Sequence, residues 1–127
     1  VASDVSIADT STHLIAMGDT LTFANGLDVI NGFTAGNGGD VLDLAAAALA
    51  ITAIGVDSTA LADGKNYFLS GNYNATTGEF VITDDGLGKD TIILQGYTTA
   101  GADISTNTSA VLLVGVDSDD LVASNFA

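Results

Sequence analysis

Fifteen glycines and no proline divide this chain into short segments, and that punctuation limits the fold more than any other feature. Gly, Asn and Asp mark turns, each through its own backbone tolerance. Between them lie β-prone runs: His13–Met17, Thr20–Phe23, Asp28–Ile30, Val41–Leu44, Ala50–Ile54, Asn66–Ser70, Glu79–Thr83, Thr91–Leu94 and Ala110–Val114. They recur roughly every 8–13 residues, the rhythm of an all-β sandwich or roll. The expectation is a single β domain over residues 1–127. It is all-β, a sandwich or roll of short antiparallel strands with Gly/Asp turns and at most one or two short helices. Asn25-Gly26, Asn31-Gly32 and the Asn74–Gly78 turn are the hairpin signals. The Ala-rich stretch Leu42–Leu49 is the one helical candidate, by propensity alone. A second short turn is expected at Ser118–Ala123, where Asp119 and Asp120 favour a helix start.

Hydrophobic residues make up 47 % of the 127 positions, and mean hydropathy is +0.44. That content excludes intrinsic disorder, which needs low hydrophobicity. No window approaches the roughly 18 uninterrupted apolar residues of a membrane span, so membrane insertion is not expected.

The charge is lopsided. Sixteen acidic residues face only Lys65 and Lys89, which leaves −14. Glu79 is the only Glu; every other acid is Asp, a residue of turns and loops more than of helix surfaces. Without cations to neutralise phosphates, the chain is no nucleic-acid partner, and anionic membranes are disfavoured too. Cations are its natural ligands, because they relieve self-repulsion in the compact state. There is no Cys, which excludes disulfides and thiolate metal sites and is compatible with export. A start at Val1 implies processing, excision or a fragment.

Three stretches share a Gly-x-Asp-x-apolar grammar or a close variant: Gly26–Ile30, Gly36–Asp43 and Asp84–Ile92. Glycine lets the backbone turn its carbonyls inward, Asp adds a carboxylate, and the next apolar residue pins the strand. Ca²⁺ takes 6–8 oxygens of these two kinds. Asp28, Asp40, Asp43, Asp84, Asp85 and Asp90 are therefore the candidate ligands. Asp117, Asp119 and Asp120 form the next cluster, which a solvated helix start explains equally well. Plain turn chemistry is the competing account of all these loops.

Catalytic constellations are missing from the sequence. His13 is the only histidine, so zinc chemistry has no second ligand of the right kind. Asp84-Asp85 and Asp119-Asp120 are sequence neighbours, not carboxylates set across a cleft. No G-x-S-x-G elbow occurs. Tyr67, Phe68, Tyr73, Phe80 and Tyr97 could form a sugar-binding face, but their density in consecutive strands fits cross-strand packing better.

The same segments resemble RTX calcium-binding secreted proteins, whose nonapeptide is G-G-x-G-x-D-x-U-x. Gly86-Leu87-Gly88-Lys89-Asp90-Thr91-Ile92 matches its tail, Gly26–Ile30 a shorter piece, and Gly36–Leu42 a version contracted by one residue. Asp28-Val29-Ile30-Asn31-Gly32-Phe33 leading to Gly39–Leu44 is similar to passages near RTX C-termini. Tyr67–Val81 and Val111–Val116, with Asp120-Leu121 and Asn125-Phe126, look like the β-rich C-terminal modules of RTX and surface-layer proteins. The resemblance implies type I secretion, a cell-surface or extracellular location, and bound calcium. Consecutive nonapeptides are absent, so a long β-roll with shared ions is not implied.

The expected function is a secreted, calcium-binding structural protein and not an enzyme. It would be a subunit of a surface layer, filament or matrix, a homo-oligomer or polymer joined through the strands near Val5–Met17 and Ala110–Val114. A secretion or folding module of a larger RTX protein is one rival. The other is a calcium-dependent carbohydrate-binding β-sandwich, and a cell-surface polysaccharide is a possible partner.

Overall fold

A computed structural model of the chain describes residues 7–9, 17–23, 27–44, 46, 48–50, 61–100, 103–104 and 108–127. The fold is all-β. Its strands are β1 (Ile7–Asp9), β2 (Thr20–Phe23), β3 (Asp28–Asn31), β4 (Ala48–Ala50), β5 (Lys65–Asn74), β6 (Glu79–Ile82), β7 (Asp90–Tyr97), β8 (Thr99–Ala100), β9 (Asp103–Ile104) and β10 (Ser109–Val114). One sheet runs β1-β2-β6-β5-β7-β10-β3, with β4 added beside β5. β8 and β9 pair separately.

The long strand β5 organises the sheet. Along one edge β7 pairs with it antiparallel, from Lys65↔Tyr97 to Gly71↔Asp90. Along the other, β4 runs parallel to Asn66–Phe68 and β6 antiparallel to Gly71–Asn74. The β5–β6 hairpin turns at Asn74–Gly78 as the sequence predicts. The Asn74 carboxamide oxygen accepts from Thr76 N (2.9 Å), and Gly78 N donates to Asn74 O (2.8 Å).

Two pairings depart from the antiparallel expectation: β10 with β3, and β5 with β4, are both parallel. Parallel pairing joins strands far apart in sequence and needs no tight turn, so no local signal announces it. Gly32 does turn the chain with φ of 75°, yet Asn31-Gly32 makes no hairpin, because the partner of β3 is β10. The helix expected at Leu42–Leu49 is also corrected. Leu42 bridges Phe126, with Leu42 N to Asn125 O at 2.8 Å and Ala127 N to Leu42 O at 2.9 Å, and Ala48 begins β4. Cross-strand partners override helix propensity, which even for alanine is only a weak prior. The Val41–Leu44 strand shrinks to this single bridge. His13 and Asn25-Gly26 lie outside the described residues, as do residues 51–54. At Ser118–Asp120 the short turn is a 3₁₀ turn capped by Asp117, and a second follows at Ala123–Asn125.

The central strands β5, β7 and β10 are buried on both faces over Tyr67–Leu69, Ile92–Leu94 and Ala110–Leu113, which is why those stretches are apolar without alternation. Tyr67, Leu69, Ile92, Leu94, Ala110 and Leu112 point to one face, where Leu21, Phe80 and Ile82 from β2 and β6 meet them. The alternate residues Phe68, Ile93, Val111 and Leu113 point to the other face. There Val116, Leu121 and Phe126 from the C-terminal segment close over them, with Phe33, Leu42 and Leu44 at the margin.

Candidate functional site

The acidic loop of residues 84–90 leaves β6, crosses the end of the sheet and enters β7. Two fixings hold it down. Ser70 Oγ accepts from Gly88 N (2.7 Å) and from Thr83 Oγ1 (3.1 Å), and Lys89 N donates to Asn72 Oδ1 (3.2 Å). Gly88 lies directly on the Gly71 backbone, so close that a Cβ there would collide with it. The second fixing reaches the C-terminal segment: Ser118 Oγ donates to Asp85 Oδ1 (3.1 Å), and Gly86 N approaches Ser118 Oγ at 3.4 Å.

This docking brings the carboxylates of Asp85 and Asp119, thirty-four positions apart in the sequence, close together. The Asp119 carboxylate sits over the Cα of Gly86, in space that a side chain at 86 would take. Its own turn is capped by Asp117, whose Oδ1 accepts from Asp119 N (3.0 Å). The negative charge of Asp85 holds the Asp119 carboxyl above its ordinary range. Partial loss of hydration, the Asp117 charge, a hydrogen bond with the Asp85 side chain and the Asp120 charge push the same way. Asp119 is solvent-exposed.

The six predicted ligands do not converge. Asp84 is exposed and caps its own loop, its Oδ1 accepting from Asp85 N (3.0 Å). Asp85 belongs to the Asp119 pair. Asp90 is 4 % exposed and serves the backbone: Oδ2 accepts from Tyr73 N (2.9 Å) and Oδ1 from Gly115 N (2.9 Å). It ties the end of β5 to the turn after β10. Asp40 is exposed and closes the loop after β3, its Oδ2 accepting from Thr34 N (2.7 Å) while its own N donates to Thr34 O (2.7 Å). Asp28 and Asp43 line a groove of about 480 Å³ between β3 and residues 41–44, floored by Gln95 and Val111.

Ca²⁺ asks for 6–8 oxygens. Among the described residues, no three acidic, His or Cys side chains come together as a metal site. The donors that fit best are the two carboxylates of Asp85 and Asp119, with Asp117 and Asp120 near enough to act through their charge. Such a set needs water or a second molecule to complete it. The sequence put Asp119 behind the loop aspartates, because nothing local shows that residues 85 and 119 meet.

Polar residues that sequence reasoning did not single out do the fastening. Asn125 is fully buried and makes four hydrogen bonds. Its Oδ1 accepts from Gly36 N (3.0 Å) and Val122 N (3.0 Å), and its Nδ2 donates to Gly36 O (3.1 Å) and Asp40 O (2.8 Å). Thr91 Oγ1 donates to Val116 O (2.7 Å). Asn66 holds Leu44 and Ala46 through Nδ2 and Gly96 through Oδ1. Of the five aromatics weighed for sugar binding, Tyr67, Phe68, Phe80 and Tyr97 are buried and Tyr73 is half-buried against the core. Tyr67 and Tyr97 meet edge to face at 5.7 Å, as packing residues do.

No protein-family model matches the chain, and neither a curated protein nor a solved structure matches it.

Proposed function

We propose that the chain is a secreted, calcium-responsive structural module of a bacterial surface or extracellular assembly. The observation that carries this reading is the Asp85–Asp119 pair. Two carboxylates from separate segments are held together at the surface of a −14 chain, and their repulsion raises the Asp119 pKa. A divalent cation bound there would replace repulsion with attraction and lock the 84–90 loop onto the 117–120 turn. Two carboxylates completed by water make a weak site, on the order of 10⁻⁴–10⁻³ M, the range of extracellular calcium modules. The RTX-like segments support export and calcium use.

The test is the melting temperature of metal-stripped protein in millimolar CaCl₂ against NaCl of equal ionic strength. CaCl₂ is expected to raise it beyond NaCl, and Asp85→Asn and Asp119→Asn to erase the difference. An equal response to both salts means general screening and overturns the calcium reading.

A further inference from the structure

Three Asn-Gly pairs stand in the chain: Asn25-Gly26, which lies outside the described residues, Asn31-Gly32 and Asn37-Gly38. Asparagine is chemically labile, above all before glycine, whose amide no side chain shields. The two described pairs sit in different settings. Asn31 ends β3, and its backbone is paired in the ladder with Val114. Asn37 and Gly38 are the central residues of the 36–39 turn, which Gly39 N closes on Gly36 O at 3.0 Å. Both are exposed, and the space beside the Gly38 Cα is open. The Gly38 amide donates no hydrogen bond among the described residues. Asn37 Oδ1 accepts from Ser124 Oγ (3.2 Å), whereas Nδ2 has no partner among the described residues. Nucleophile and leaving group are therefore both unengaged, and the Ser124 hydroxyl is placed to take the negative charge that develops on Oδ1 under attack. The Asp-Gly pairs 63–64 and 85–86 differ: Gly64 N donates to Tyr97 O (2.7 Å), and Gly86 N approaches Ser118 Oγ at 3.4 Å.

We propose that Asn37 is a self-modification site: it deamidates in the folded protein, activated by Ser124 and ahead of Asn31, and its isoaspartyl product loosens the C-terminal segment. The inference goes beyond the calcium reading and does not depend on it. Gly38 N attacks Asn37 Cγ, the Cγ–Nδ2 bond breaks, and the side-chain nitrogen leaves as ammonia with the Gly38 amide proton. Water then opens the cyclic imide, and no oxidant or reductant is needed. Opening at Cγ leaves aspartate. Opening at the main-chain carbonyl leaves isoaspartate, whose backbone is one methylene longer. The loop has no slack for that methylene. Asn125 holds Gly36 N and O on one side of the 37–38 bond and Asp40 O on the other. Between them Gly39 lies so close to Thr34 O that a Cβ there would collide. An isoaspartate at 37 therefore pulls against the bonds that fasten the segment carrying Asn125.

The test is site-resolved mass spectrometry on folded protein held for weeks at mildly alkaline pH, with fragmentation that separates aspartate from isoaspartate. Residue 37 is expected to convert several-fold faster than residue 31. Ser124→Ala, a change at an exposed position, should slow residue 37 several-fold and leave residue 31 unchanged. In denaturing guanidinium, where only local sequence counts, the two rates should converge. The isoaspartyl fraction should melt below unaged protein, and Asn37→Asp, with the same added charge on a normal backbone, should melt closer to it. Equal folded-state rates at 31 and 37, or residue 31 reacting first, overturn the proposal. So does a rate at 37 that Ser124→Ala leaves unchanged or raises. An isoaspartyl form that melts with unaged protein sinks the loosening of the C-terminal segment.

Discussion

The two faces of the sheet are closed by different physics. On the first face the sheet covers itself: β2 and β6 bring Leu21, Phe80 and Ile82 onto Leu69, Ile92, Leu94 and Leu112, all at most 1 % exposed. The second face is closed by chain without regular pairing. Val116, Leu121 and Phe126 sit at 5–9 % exposure, and the segment carrying them is fastened by the single Leu42–Phe126 bridge with its backbone hydrogen bonds and by side-chain hydrogen bonds from Asn125 and Thr91. Strand-on-strand packing gains stability from area and gives way as a unit. A clasp made of a few polar bonds has a smaller stake and can open by itself. The acidic pair Asp85–Asp119 sits where that clasp meets the loop entering β7, so the site belongs to the weaker half.

The largest expected effect tests the first face. Phe80→Ala removes a ring that is fully buried and fills the space above Gly71. It should cost about 3–5 kcal/mol, the range for a buried Phe whose cavity cannot collapse. Phe126→Ala removes a ring that is 9 % exposed and stacked on Phe68 at 5.5 Å. At the margin of the second face it should fall at or below the lower end, about 3 kcal/mol or less. Urea unfolding midpoints at constant slope measure both. An equal or reversed ranking would mean that the C-terminal segment is part of the main cooperative core.

Asn125→Ala comes next and sharpens the contrast. It deletes four hydrogen bonds at once and leaves the half-buried Gly36 and Val122 amides without their acceptor. The expected loss is about 2–3 kcal/mol, since orphaned buried groups cost more than a bond contributes. Hydrogen exchange gives the sharper readout. Exchange at Gly36 and Val122 should accelerate far more than at Ile92 or Leu94 if the clasp opens locally. Uniform acceleration across all four would make the two faces one unit.

These differences track what the sequence could and could not say. The positions of β2, β3, β5, β6, β7 and β10 were legible from β-prone segments between Gly, Asn and Asp, although β5 and β7 run four and three residues past the segments read for them, to Asn74 and Tyr97. The Asn74–Gly78 turn was legible because its geometry is local. Partner choice was not. The alliance of β3 with β10 links residues about eighty positions apart, and no residue in Asp28–Asn31 encodes it alone. The Leu42–Leu49 stretch misled because helix propensity, even alanine's, is a weak prior, and Asn66–Phe68 and Phe126 offered its ends better partners. The candidate site was half legible for the same reason. Asp85 stands out within its Gly/Asp loop, and Asp90 does too, but that its oxygens accept from the Tyr73 and Gly115 amides is visible only in the fold. Asp119 gains its meaning only from a neighbour thirty-four positions away.

The smallest expected effect is the pH dependence of that pair, and it probes the weaker half without disturbing the stronger. The Asp119 pKa is raised in the folded protein, first by the Asp85 charge, so the folded state holds its proton to higher pH than the unfolded state does. Between the ordinary carboxyl value and the raised one, the folded chain binds more protons, and stability must fall as pH rises through that window. Above it the penalty is fully present, and below the ordinary value it vanishes. Asp119→Asn removes the titrating group. The variant should therefore melt above wild type at neutral pH and converge with it in acid. The gap should be small, because Asp119 is exposed and solvent screens it, and added NaCl should narrow it. Melting temperatures of both proteins from acid to neutral pH measure this directly. Curves that stay parallel across the range would show that Asp85 and Asp119 do not repel, and the reason for placing a cation between them would go with that result.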